Sequence, residues 1–423
     1  MSSRSASLPR PIPGGGVNTE PGSADDGWTP PPPVKLDDGS HIQLFKDGQA
    51  LSTALTAIEN AKKRICLEVY IFANDSTGQR FKDALARKAR EGVEVYLIYD
   101  DFGSVSTPRK AFLDLRQAGV RIRVFHPLRP WETRYSWRPF NRDHRKLLVI
   151  DDALGGLGGL NIADEYAGEW VAPATAAPPP SPTTDARFWR DNCVGIAGPS
   201  VLTLSNAFAR TWNYIAHGGR IARALYLHPT PADPRSFAIP PCGNNLSLLA
   251  SVPSLDSPLR PSLHRLFAAA RKSIRMTMAY FAPDDDLVSS LSRAARRGVD
   301  VQLMLPGVCD VPILITAARS FYDTLLHAGV KIYERQSVVL HAKTMVIDDQ
   351  ISILGSTNLD YRSIEYNLEL SAVIRSEPFA RQMTTLFNND VKFARQILPT
   401  HWKRRPTLDR IGQWAVSRAR YLL

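Results

Sequence analysis

The sequence predicts an α/β protein built from two pseudo-symmetric copies of one unit, each a mostly parallel or mixed sheet flanked by helices. Three observations carry that prediction. Helical and strand patterns alternate along the chain, as they do where helices layer on a sheet. Three segments recur in the same order: "RKAREGVEVYLIY" (87–99) with "RAARRGVDVQLML" (293–305), "DLRQAGVRIRVF" (114–125) with "TLLHAGVKIYER" (324–335), and, more loosely, "AKKRICLEVYIFAND" (61–75) with "ARKSIRMTMAYFAPD" (270–284). Only two copies at a long period mean duplicated domains, not a solenoid. The chain of 423 residues is long enough to give each copy its own core.

In chain order, residues 1–37 are rich in Pro, Gly and Ser and read as a disordered arm. The first domain is expected over 38–216. It opens with a helical pattern near 50–63 and a β-branched and aromatic run from Ile65 to Phe72. "TGQRFKDALARKAREGVEVYLIYDD" then gives an amphipathic helix, a stop at Gly92 and a strand, the pairing that argues for a largely parallel sheet. Two insertions set the first copy apart. One, 126–143, interleaves Trp131, Tyr135, Trp137 and Phe140 with Arg129, Arg134, Arg138 and Arg142; the other, 172–184, is a low-complexity Pro-rich loop. A linker rich in Pro and Gly is expected over 217–245, the second domain over 246–395, and a basic amphipathic segment over 396–423.

Composition narrows the function classes. Hydrophobic residues make up 44% and charged residues 22%, ordinary for a soluble globular protein. Cys66, Cys193, Cys242 and Cys309 are scattered, so neither a disulfide framework nor zinc-ligand spacing is expected. The N-terminal stretch lacks the apolar segment of a secretory signal, and no run of about 18 apolar residues suggests a membrane-spanning helix. The net charge of +11 favours a polyanionic partner, either nucleic acid or an anionic membrane surface.

The chemistry-bearing pattern also occurs twice. "HRKLLVIDDALGGLGGLN" runs from His144 to Asn161 and "HAKTMVIDDQISILGSTN" from His341 to Asn358. In each, His is followed by Lys, Asp, a pair of small residues and Asn at the same spacing. On a strand, i and i+2 share a face, so His144 and Lys146 point the same way, as do His341 and Lys343. The pairs Gly158-Gly159 and Gly355-Ser356 allow the backbone to turn closely and bring Asn161 or Asn358 back beside the histidine. A lone His-x-Lys before an apolar run is usually structural, and a lone Asp after a strand usually forms a turn. Two copies inside an independently visible duplication favour a site.

These motifs resemble the HKD signature of the phospholipase D superfamily. "GGLNIADEY" (158–166), "FWRD" (188–191), "GSTNLDYRS" (355–363), "LEVYIFAND" (67–75) and "YFAPD" (280–284) resemble its cardiolipin synthase branch, in a short form without N-terminal transmembrane helices. The resemblance spans approximately residues 40–395 and implies a single active site between the two domains. It implies that Lys146, Lys343, Asn161 and Asn358 neutralise a phosphodiester without metal or cofactor. One imidazole would attack phosphorus to form a phosphohistidine, and the other would protonate the leaving alkoxide. By this likeness His144 is the nucleophile and His341 the general acid and base; the residues alone leave the two interchangeable. A carboxylate downstream of each motif would orient its histidine: Asp191 in the first half, Glu369 in the second. Asp151 and Asp348 complete the two catalytic motifs and are expected to fix their geometry through salt bridges.

The resulting expectation is a transphosphatidylase that moves a phosphatidyl group onto phosphatidylglycerol to form cardiolipin, with phosphatidylethanolamine as an alternative donor. It would sit peripherally on the cytoplasmic face of the inner membrane. A helix over 407–423 with Leu408, Ile411, Trp414, Ala415 and Leu422 on one side suits an anionic bilayer, or packs on the protein's own core. The insertion at 126–142 suits the same interface, or is a loop packed beside the site. Two rival functions use the same motifs: a phospholipase D with water as acceptor, and a nuclease or nucleic-acid-binding member of the superfamily. The lipid-branch signatures weigh against a nucleic-acid partner.

Overall fold

The computed structural model describes residues 28–132, 140–168, 189–216, 245–251 and 257–419. Outside them lie most of the N-terminal arm, the Pro-rich loop 172–184, the linker up to 244, Leu422, and Arg134, Tyr135, Trp137 and Arg138 of the aromatic insertion. The first half runs β1 (Val34–Lys35), β2 (His41–Lys46), α1 (Gln49–Asn60), β3 (Arg64–Val69), α2 (Ser76–Arg90), β4 (Glu94–Asp100), α3 (Arg109–Gln117), β5 (Arg121–Phe125), β6 (Leu147–Ile150), β7 (Leu154–Gly158), β8 (Trp189–Arg190), β9 (Asn192–Ala197) and α4 (Val201–Ala216). The second half runs β10 (Leu246–Ser251), α5 (Leu259–Ala269), β11 (Ser273–Met278), β12 (Phe281–Ala282), α6 (Asp285–Arg296), β13 (Asp300–Pro306), α7 (Pro312–Arg319), α8 (Tyr322–His327), β14 (Lys331–Arg335), β15 (Val339–Leu340), β16 (Lys343–Ile347), β17 (Ile351–Gly355), β18 (Leu359–Asp360), α9 (Tyr361–Glu365), β19 (Glu369–Arg375), α10 (Glu377–Val391), β20 (Ala394–Ile397), α11 (Pro399–Trp402) and α12 (Thr407–Ala419).

Equivalent elements begin and end for the same reasons. Asp75 accepts a hydrogen bond from the Gly78 N–H (2.8 Å) to start α2, and Asp284 accepts one from the Leu287 N–H (2.8 Å) to start α6. Just beyond these helices, Gly92 (φ 91°) and Gly298 (φ 93°) take the left-handed conformation that turns the chain into the next strand.

Each half forms an eight-stranded sheet, in the orders β1-β2-β9-β7-β6-β3-β4-β5 and β10-β19-β17-β16-β11-β13-β14-β20. Of the two arrangements expected, mostly parallel or mixed, both sheets take the mixed one. Only β3-β4-β5 and β11-β13-β14 run parallel, and the other pairings are antiparallel. The cause is the hairpin that carries each motif. Its turn residues Asp151 and Asp152, or Asp348 and Asp349, all have φ between 53° and 56°, so each strand folds straight back on itself. The arm is also shorter than expected, because Val34–Lys35 pairs with His41–Ile42 as an edge strand.

On one face of the first sheet, Leu67 and Leu97 share a core with Leu55 of α1, Leu85 of α2 and Phe112 of α3. The opposite faces of both sheets share one apolar cluster with α4 and α10, including Val149, Val194 and Phe208 from the first half and Val346, Ala372 and Phe379 from the second. Along α12, Leu408, Ile411 and Trp414 are 80%, 56% and 62% exposed, while Gln413 is buried. The apolar side of this helix therefore faces outward, away from the protein's own core. No helix among the described residues is long and apolar enough to cross a membrane.

Candidate active site

The two motifs meet where the halves join, because short strand pairings cross between them. β8 pairs in parallel with β15, and Asp143 bridges to Leu368. The His341 N–H donates to the Arg190 carbonyl (2.8 Å), and the His144 N–H donates to the Leu368 carbonyl (2.9 Å). Each histidine is thus pinned beside the residue that precedes a carboxylate of the other half.

The carboxylates follow. His144 Nδ1 lies 3.1 Å from both oxygens of Glu369, and His341 Nδ1 lies 2.7 Å from Asp191 Oδ2. The expected pairing within each half is corrected: Glu369 serves the first motif and Asp191 the second. The two carboxylates are the ones the resemblance pointed to, but the crossing strands exchange them. Ser356 Oγ donates to Glu369 (2.5 Å), whereas Gly159 occupies the equivalent position beside Asp191. A Cβ at Gly159 would collide with the Asp191 carboxylate, so glycine is needed there for close approach.

The lysines lie alongside. Lys146 Nζ donates to the His144 carbonyl (2.7 Å), and Lys343 Nζ donates to the His341 carbonyl. Lys343 Nζ is also 2.8 Å from His341 Nδ1. The shorter Asp191 contact takes the Nδ1 proton, since one nitrogen cannot both donate to Asp191 and accept from Lys343. Aromatic rings enclose the imidazoles: Tyr70 is edge-on to His144 at 5.0 Å, and Tyr166 is edge-on to His341 at 5.2 Å.

Burial dominates the electrostatics. It lowers His144 to about 4, with Glu369 opposing the shift and Lys146 adding to it. It also lowers His341 well below its ordinary 6.5, reinforced by Lys343 and Lys146. Lys146 is brought down to about 7 and Lys343 to about 8 by the same cause. Burial lifts Asp191 to about 6. Burial pushes Glu369 upward too, but His144, Lys146 and Ser356 outweigh it and hold that carboxylate below 4.5.

The asparagines differ. Asn161 accepts from the Ile71 N–H (3.1 Å) and donates to the Tyr166 hydroxyl (2.9 Å). Asn358 Oδ1 is buried without a hydrogen-bond partner among the described residues. Asp151 and Asp348 lie at the far ends of the motif strands, roughly 20 Å from the histidines at about 3.3 Å per residue. The expected salt bridges are corrected. Asp151 accepts backbone N–H groups from Lys62 (2.8 Å), Lys63 (2.7 Å) and Arg64 (2.8 Å). Asp348 does the same with Arg271 (2.9 Å), Lys272 (2.7 Å) and Ser273 (2.9 Å). The ion pairs belong to the next residues, Asp152 with Arg64 (2.5 Å) and Asp349 with Arg275 (3.0 Å).

Sequence reasoning missed the buried pair that clamps the halves beside the site. Arg190 Nε and Nη2 donate to the two carboxylate oxygens of Asp390 at 3.0 and 2.8 Å. Arg190 was visible in "FWRD", but nothing nearby in sequence indicates a partner on α10.

A duplicated α/β fold with two His-x-Lys strands joined at its centre defines a phospholipase D-like protein. More narrowly, the chain belongs to the family described as "Cardiolipin synthase, PLD-like domain", which matches residues 54–168 and 263–391. It is 33% identical over 378 residues to a cardiolipin synthase of Alkalihalophilus pseudofirmus, covering 88% of this chain and 70% of that one. It is 32% identical over 383 residues to the major cardiolipin synthase of Bacillus subtilis, covering 89% and 74%. A solved phosphatidylserine synthase of Haemophilus influenzae has the same fold, with a TM-score of 0.64 at 15% identity, covering 93% of this chain and 97% of that one.

Proposed function

We propose that the chain is a cardiolipin synthase-type phosphatidyltransferase working through a phosphohistidine. The observation that carries this reading is the pair of imidazoles, each with Nδ1 fixed on a carboxylate of the opposite half and each flanked by a lysine. With Nδ1–H directed at Glu369, neutral His144 presents the Nε2 lone pair to phosphorus. The bond from phosphorus to the glycerol head group of one phosphatidylglycerol breaks, and His341 gives its proton to the departing oxygen. A hydroxyl of a second phosphatidylglycerol then loses its proton to His341 and attacks phosphorus. The P–N bond breaks, cardiolipin leaves, and His144 is neutral again.

Lys146 and Lys343 hold the phosphate, with Asn358 as an asparagine donor; Asn161 keeps one Nδ2 hydrogen for it while the other goes to Tyr166. The lysine charges that disfavour a protonated His341 are countered once an anionic phosphodiester sits between them. Glu369 is the firmer anion of the two carboxylates, which suits a partner of the nucleophile. Asp151 and Asp348 have no part in the transfer.

Attachment to the cytoplasmic face of the inner membrane is proposed through the outward Leu408, Ile411 and Trp414 of α12, among the basic residues around them. Vesicles of phosphatidylglycerol incubated with purified protein are expected to yield cardiolipin and free glycerol. The His341→Ala variant should lose this activity by a factor on the order of 10³, and Trp414→Glu should sediment less with the vesicles. Phosphatidic acid as the only product would replace transfer by hydrolysis. DNA cleavage without lipid turnover would sink the lipid reading. Labelled ethanolamine released from phosphatidylethanolamine would identify the alternative donor.

A further inference from the structure

Beneath α1 lies a cavity of about 290 Å³ whose walls are almost wholly apolar. It runs along one face of the first sheet. Strand alternation places Lys146, Leu148 and Ile150 on that face, so the cavity reaches from the site lysine along β6 for roughly 13 Å at about 3.3 Å per residue. Lys146, Leu148 and Ile150 all line it, with Leu67 and Val69 of β3 and Ala54 of α1.

The duplication supplies an internal comparison. At the corresponding place under α5, beside Lys343, the second half retains only about 10 Å³. The difference traces to one of two directly paired positions, Gly156, since at its partner Gly195 a Cβ would meet the Phe45 ring at 2.7 Å. Gly156 pairs with Gly195 across β7 and β9, where Ile353 pairs with Val373 across β17 and β19. Ile353 and Val373 are buried in the second core. Neither glycine has the positive φ that would call for glycine on backbone grounds. A Cβ on Gly156 would meet nothing nearer than the Val194 carbonyl oxygen at 3.5 Å, so a side chain fits where none is present. The position is empty of side chain although the fold would accept one, and a void of this size weakens a protein unless something fills it.

We propose that this cavity holds one acyl chain of the lipid whose phosphate sits at Lys146. An apolar cavity of roughly 150 Å³ holds a benzene molecule, so the space here takes a chain on the order of a dozen carbons. The end nearest the site is charged by Lys146 and the remainder is hydrocarbon, the polarity of a phosphatidyl group lying phosphate first. The second half, with its filled cleft, receives the phosphate but no chain, so a lipid threads the site in one orientation. The substrate identity rests on the phosphatidyl-transfer reading; the cavity's affinity for a fatty chain does not.

The test uses the full-length chain and fluorescence titration with cis-parinaric acid. Wild type is expected to bind the probe. Gly156→Ile, which installs the second half's residue, and Ala57→Leu, which narrows the cavity from α1, should each weaken binding at least tenfold while keeping the melting temperature of wild type or raising it. In a series of phosphatidylglycerols of rising acyl length, wild-type kcat/KM should climb by up to about fourfold per methylene and level off near the cavity's capacity; for Gly156→Ile it should level off at shorter chains. Absence of probe binding to wild type, or equal binding by all three folded proteins, would overturn the proposal. Probe binding that follows the expected pattern without any turnover of phosphatidylglycerol would instead overturn the transfer reading and leave the cavity's role standing.

Discussion

Burial and two neighbouring lysines push His144 and His341 toward the neutral imidazole. Their difference lies in the carboxylates behind them. If Glu369 orients the nucleophile, Glu369→Gln should slow phosphohistidine formation by a factor on the order of 10³, whatever the leaving group. Asp191→Asn should instead slow turnover most for substrates with poor leaving groups, which need the proton from His341. The reverse pattern, read by single-turnover labelling, would make His341 the nucleophile and His144 the acid. The lysines set a pH dependence. Folded Lys146 and Lys343 release protons near 7 and 8, while unfolded lysines hold theirs to 10.5. Across that interval the unfolded chain binds more protons, so these two groups make the folded chain more stable as pH rises. A phosphodiester monoanion needs the protonated lysines, so glycerophosphoglycerol should raise the melting temperature more at about pH 6.5 than at about pH 9. Equal gains at both would remove the lysines from the phosphate site. The histidines and lysines were legible in the sequence because the duplication repeats their spacing, and the two carboxylates through the likeness to the superfamily, since Asp191 and Glu369 stand at different distances from their motifs. Which carboxylate serves which histidine was not, since it depends on Arg190 and Leu368 lying beside strands that local sequence does not pair with them.

At the scale of elements, the motif aspartates act on the chain rather than on substrate. Each closes a left-handed turn and gathers three N–H groups from the loop before β3 or β11, joining the hairpin to the neighbouring strand. Burial would raise Asp151, but the N–H bonds from Arg64, Lys62 and Lys63 outweigh it and hold the acid below 3.8. Asp151→Ala should therefore cost about 1–3 kcal/mol of stability, measured by denaturant unfolding, with kcat per folded molecule close to wild type. A fall in kcat of a hundredfold in a stable variant would return Asp151 to the chemistry. Helical and strand periodicity sufficed for α2, β4 and their repeats. It left the sheets open between mostly parallel and mixed because an Asp-Asp hairpin lacks the glycine that usually announces such a turn. It failed for Val34–Lys35 because an edge strand tolerates the preceding prolines that suggested disorder.

At the scale of the molecule, each half holds an imidazole and the carboxylate that serves the other half's imidazole. Residues 1–244 and 245–423 expressed separately should each be inactive, and coexpression should recover turnover; activity in either fragment alone would contradict the crossed arrangement. The same crossing has a consequence in time. Glu369 follows His144 by 225 residues. At roughly 5–20 residues per second, ribosomes need on the order of 10–45 s to span that interval. Through it the emerging first half carries a histidine with no partner to steer its tautomer and no second imidazole to complete a transfer. A growing chain that reaches a membrane early therefore cannot open a lipid's phosphodiester until Glu369 has been made.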